Sequence, residues 1–199
     1  MLALKNDLVA HAASSRNESV DALKRLRAAT QALHHQLDAQ LPLARIDARR
    51  SDYLAHLCVL QPWLAALAPF MQRIGWGDGY ARLAADDLAL AGEPVPAAWT
   101  PAWPASSAAP GFVWGVAYVV EGSQLGGQTL YRRLQGALAP LPLNFLRGHG
   151  DATGSHWRRF LAALDEALDS HTAIDAACDG AVWAFTTLID NYKRKGLVG

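Results

Sequence analysis

Twenty consecutive residues, 53–72 (YLAHLCVLQPWLAALAPFMQ), carry no Asp, Glu, Lys or Arg. A stretch of that length either crosses a bilayer, which takes roughly 20 apolar residues, or is buried inside a protein core. His56, Gln61, Pro62 and Pro69 lie within it. Polar groups and prolines at those points favour a kinked helix enclosed by other helices over a membrane span. Enclosing it requires several amphipathic partners, and a chain of 199 residues is long enough to supply them.

The partners are visible as helical periodicities. Leu23, Leu26, Leu33 and Leu37 predict a helix from about Val20 to Gln40, with Ser19 as its cap and Pro42 beyond its end. Ser51 is the expected start of the uncharged helix. GWGDGY (75–80) breaks the chain before a short helix over 83–90. The segment AGEPVPAAWTPAWPASSAAPG (91–111) holds five prolines and cannot be a regular helix or a central strand. Another helix follows from about Phe112 to Leu138. The next, from Ser155 to about Ser170, sets Trp157, Phe160, Leu161, Leu164 and Leu168 on one face. A last helix is expected from Thr172, where Thr172 and Asp175 have capping-box spacing. Its core face carries Ile174, Ala177, Ala181, Phe185, Leu188 and Tyr192. No segment alternates as a strand would. The expected architecture is therefore an all-α, single-domain bundle over 19–199, with 1–18 as a flexible arm.

Eighteen basic residues balance eighteen acidic ones, so no global charge points to nucleic acid or to an anionic membrane as a partner. Cys58 and Cys178 lie far apart in apolar segments, as reduced core thiols do in a cytoplasmic protein. Lys5 and Asp7 interrupt the start, and no signal-peptide pattern is present.

Two motifs carry chemistry. YVVEGSQLGGQTLY (118–131) reads as helix yet contains Gly122, Gly126 and Gly127, each costing about 1 kcal/mol relative to alanine. On a helical wheel Gly122 and Gly126 fall within roughly 20° of Gly115, flanked by Val119 and Ser123. A row without side chains admits either a second helix or a flat ligand. The tandem Gly126-Gly127 adds bending that packing alone does not require.

In LRAATQALHHQLD (26–38), the apolar stripe is centred near Thr30 and Leu37. His34 falls at its edge and His35 well outside it. Arg27 lies two turns before His34 on the same flank, and Asp38 lies one turn after it. A histidine so placed is either a hydrogen-bonded core residue or a ligand oriented by the nearby carboxylate.

LRAATQALHHQLD followed about 80 residues later by EGSQLGGQTLYRRL resembles the heme oxygenase family, particularly its bacterial, bacteriophytochrome-associated branch. The resemblance implies heme held between the first helix and a kinked, glycine-rich distal helix. It puts the iron-binding histidine at His34, its carboxylate at Asp38 and a propionate contact at Arg27. The distal glycines fall at Gly122, Gly126 and Gly127. Ser123 stands where animal members carry a water-organising aspartate, so Gly122, Ser123 and Gly126 are the expected catalytic positions. Heme would be substrate and cofactor, with its iron. The reaction implied uses O2 and electrons from a donor such as a ferredoxin or a reductase to yield biliverdin, CO and ferrous iron. A non-catalytic heme or bilin carrier of the same fold, and a helical enzyme acting on another small molecule, are the alternatives. Arg158 and Arg159 are secondary propionate candidates. Arg132 and Arg133 are candidates for a face docking an acidic redox partner. His11, His56, His149, His156 and His171 share no motif and are expected to be structural or exposed.

Overall fold

The uncharged stretch is the spine of the molecule. A computed structural model describes residues 22–77 and 79–199. In these residues helix α1 covers 22–40, and α2 covers Arg50–Gln72. Then come α3 (Tyr80–Leu90), α4 (Pro110–Leu134), α5 (Asn144–Arg147), α6 (Thr153–Ala167) and α7 (His171–Arg194). No strand occurs among the described residues. The flexible arm expected over 1–18 and the cap expected at Ser19 lie outside them.

Helix α2 is long and apolar enough to cross a membrane, yet Tyr53, Leu57, Trp63 and Leu67 on it are buried inside the bundle. It continues through Pro62 and Pro69. It begins at Arg50 rather than Ser51, because Asp52 reaches back to accept from the Arg49 backbone N–H at 2.7 Å. The last helix also starts earlier than expected. Its cap is Ser170, whose hydroxyl accepts from Ala173 N at 3.2 Å. Asp175, expected in a capping box with Thr172, instead pairs with Arg25 of α1.

Helices α4 and α7 make the tightest contact in the core, and small residues are the reason. A Cβ added to Gly115 would lie 1.8 Å from the Ala177 carbonyl oxygen. One added to Gly180 would lie 2.0 Å from that of Phe112. The core face of α7 predicted from its spacing is buried as a whole, from Ile174 to Tyr192.

A buried carboxylate fixes the short helix α5. Asp87 on α3 is 1% exposed and accepts from Tyr53 Oη (2.5 Å), Asn144 Nδ2 (2.8 Å) and Phe145 N (2.9 Å). Burial and that carboxylate together push the Tyr53 hydroxyl pKa up, so it stays a donor. The network sets Phe145 and Leu146 against α4. Arg133 is exposed and donates to the Leu43 and Ala44 carbonyls, which ties α4 to the α1–α2 connection.

Candidate functional site

A cavity of about 590 Å³ opens between α1 and α4, closed by residues of α2, α5, α6 and α7. That volume falls within the roughly 300–1,000 Å³ usual for small-molecule pockets. Its walls are mainly apolar: Leu37, Leu60, Trp63, Val119, Leu146, Trp157, Phe185 and Leu188 among them. All seven positions singled out from the two sequence motifs line it: Arg27, His34, Asp38, Gly122, Ser123, Gly126 and Gly127.

His34 was expected at the edge of the buried face. Its side chain is 59% exposed because it borders this open cavity, while its ring meets Phe185 edge-on with centroids 5.9 Å apart. Nδ1 lies 2.8 Å from Asp38 Oδ2, across one helical turn. A carboxylate on Nδ1 fixes that nitrogen as the protonated one and leaves Nε2 with a free lone pair, the arrangement of a metal-binding imidazole. His35 is exposed and does not line the cavity.

The glycine stripe has two jobs, divided along its length. Gly115 belongs to the α4–α7 contact, and Gly111, one turn earlier, meets the Ala173 carbonyl in the same way. Gly122 and Gly126 belong to the cavity. An added Cβ at Gly126 meets nothing within 4 Å, and at Gly122 only the Trp157 ring edge at 3.5 Å. Gly127 faces the Leu146 backbone, whose carbonyl oxygen would lie 3.4 Å from an added Cβ. The close-packing pair is thus Gly111 and Gly115, not Gly122 and Gly126.

Ser123, Gln124 and His56 add polar groups to the apolar wall. Ser123 Oγ donates to the Val120 carbonyl at 2.6 Å, so its hydrogen is committed to the helix, and it accepts from Gln124 Nε2 at 3.5 Å. Gln124 is 4% exposed, and its Oε1 is buried without a partner. His56 on α2 was read from sequence as structural, and it borders the cavity as well. Its Nδ1 lies 2.6 Å from the Tyr192 hydroxyl, and burial pushes its pKa down to about 4, so it is neutral. A histidine inside a stretch without charges is the one signal that could have marked it.

At the rim, Arg27 stands beside the Tyr118 hydroxyl. Burial raises the pKa of that phenol, while Arg27 and Thr30 pull it back. Cation and phenol together suit an anionic group. Arg158 and Arg159 do not line the cavity, which sets them aside as propionate contacts.

These residues fit heme. A bare helix face at Gly122 and Gly126 admits a flat ring, His34 offers an unencumbered imidazole nitrogen, and Arg27 offers a cation for carboxylates. The heme oxygenase family model matches residues 104–193. A heme oxygenase from Xanthomonas campestris pv. campestris (strain 8004) is 41% identical over 128 residues, covering 61% of this chain and 70% of that protein. The NO- and CO-bound heme oxygenase from Neisseria meningitidis shares the fold, with a TM-score of 0.70 at 24% identity, over 89% of this chain and 93% of that one. By fold and by kinship with the Xanthomonas protein, the chain belongs to the heme oxygenase family, enzymes for which heme and its iron are both substrate and cofactor.

Proposed function

We propose that the chain cleaves heme to biliverdin, CO and ferrous iron, using O2 and electrons from a ferredoxin or a reductase. The observation that carries this reading is the meeting of His34, from α1, with the bare Gly122–Gly126 face of α4 across one cavity. Bound heme supplies the iron that binds O2 and the ring that is oxidised.

The protein's part is positioning and proton supply. His34 Nε2 would hold the iron, with Asp38 fixing the imidazole's tautomer. Arg27 and the Tyr118 hydroxyl receive the propionates at the rim. Gly122 and Gly126, which carry no side chain into the cavity, would leave room for the flat substrate and O2, and Gly127 brings α4 close to α5. Ser123 Oγ, with its hydrogen on Val120 O, orders water as an acceptor. Residues 19–199 form the heme oxygenase-like domain of a cytoplasmic enzyme, and its bilin passes to a bacteriophytochrome.

The test is to add hemin to the purified protein, then a reductant under air. A Soret band that depends on His34 and gives way to a biliverdin spectrum, with CO released, is the expected result. A His34-dependent band that persists through repeated reduction would show binding without turnover and sink the reaction.

A further inference from the structure

Outside the heme cavity, α3, α4, α6 and the turn before α6 bring four polar side chains to one point. Glu121 on α4 is 2% exposed. Its Oε1 accepts from Gly77 N at 2.9 Å and its Oε2 from the Tyr80 hydroxyl at 2.7 Å. His156 Nε2 lies 2.8 Å from the same Oε2, and His149 Nε2 lies 2.9 Å from the Tyr80 oxygen. The two imidazoles stack with centroids 3.8 Å apart. One ligand atom from each of Glu121, His149 and His156 lies within 4.8 Å of the others. The group borders its own opening of about 390 Å³, which shares no residue with the heme cavity.

We propose that Glu121, His149 and His156 bind one divalent transition-metal cation of the zinc class. Two imidazole nitrogens and a carboxylate oxygen are a recognised zinc donor set that leaves one position for water or another group. Imidazole ligands select such ions over magnesium or calcium. The carboxylate is already aimed, because Gly77 N holds Oε1 and leaves Oε2 toward the histidines. Tyr80 stands where it can hydrogen-bond a ligand or fill the open position. Binding through Nε2 puts the His156 proton on Nδ1, which lies 3.2 Å from an Arg159 guanidinium nitrogen. Arg159 is exposed and must swing into solvent for the cation to enter, so it opposes binding. Metal-free, the same groups are joined by hydrogen bonds through Glu121 and Tyr80, so the pocket persists without the ion. The cation would brace α4 at the residue before Gly122, next to the heme face.

Heme-free, chelator-treated protein is titrated with Zn2+ by calorimetry, so the result does not depend on heme turnover. One equivalent is expected. His149→Gln and His156→Gln, with folding checked by circular dichroism, each weaken it by about 10-fold or more. Arg159→Ala tightens it. His34→Ala, which removes the separate His34–Asp38 pair, leaves it in place. Wild-type protein with Co2+ should show the visible absorption of a four- or five-coordinate ion, whatever the variants do. The absence of a stoichiometric site, of that Co2+ band, or of any loss in both histidine variants would overturn the proposal and leave the cluster as a hydrogen-bonded brace.

Discussion

Asp38 Oδ2 and His34 Nδ1 lie 2.8 Å apart across one turn of α1, at the rim of the cavity that α4 closes. Because the contact is local to one helix, it forms before any ligand arrives. Losing the carboxylate should therefore loosen the imidazole rather than abolish it as a ligand. Asp38→Asn is expected to weaken heme affinity about 10-fold, and His34→Ala to remove the iron–imidazole spectrum. Hemin titration followed at the Soret band reads both. Equal affinity in wild type and Asp38→Asn would refute the orienting role.

Two glycines of one stripe should respond in opposite ways. Gly126→Ala places a methyl in open space and raises helix propensity, so stability should rise by up to about 1 kcal/mol. The same methyl meets the ligand, and heme affinity should fall roughly 10-fold. Gly115→Ala drives a methyl into the Ala177 carbonyl and should cost about 3 kcal/mol with no heme present. Thermal melts of the heme-free variants and hemin titrations separate the two effects. A destabilised Gly126→Ala would contradict the assignment.

His56 predicts how stability depends on pH. Its pKa is pushed from 6.5 down to about 4 by burial. Above about pH 6.5 it is neutral in both folded and unfolded chains, and its contribution is constant. Between pH 6.5 and 4 the unfolded chain takes up a proton that the folded one refuses, so stability falls on acidification, by on the order of 3 kcal/mol. His149, also lowered by burial, adds a loss of the same sign. Denaturant melts at pH 7 and pH 4.5 should show the loss, reduced in His56→Gln. An undiminished loss in that variant would mean other groups carry it.

Ser123→Ala should leave hemin affinity within about 2-fold, since the hydroxyl bonds the helix and not the rim residues. Turnover should drop less than 10-fold, below the 10² to 10⁴ typical of a full general acid. A drop beyond 10² in single-turnover rate would make Ser123 the proton donor itself.

Local spacing was enough to recover much of this protein. The i to i+4 step from His34 to Asp38 lies within a single helix. So do the faces of α6 and α7, where Phe160, Leu164, Ile174 and Phe185 are buried as their periodicity demands. The boundaries were less legible. Ser170, not Thr172, caps α7 by accepting from Ala173 N, and Asp175 pairs with Arg25, a residue 150 positions away.

Everything that depends on two helices meeting was decided by tertiary structure. Gly115 and Gly126 look alike in sequence, but α7 crosses at one and the cavity lies at the other. His56 and His149 sit in no motif, and each gains a partner only when α2 meets α7 or α3 meets the turn before α6. Arg133 reads as a surface cation and ends as a tie to the Leu43 and Ala44 carbonyls. The reason is geometric. A side chain's direction on its own helix follows from 3.6 residues per turn, whereas what waits in that direction depends on how close two backbones come, and on this chain glycines and the buried carboxylates Asp87 and Glu121 set that distance.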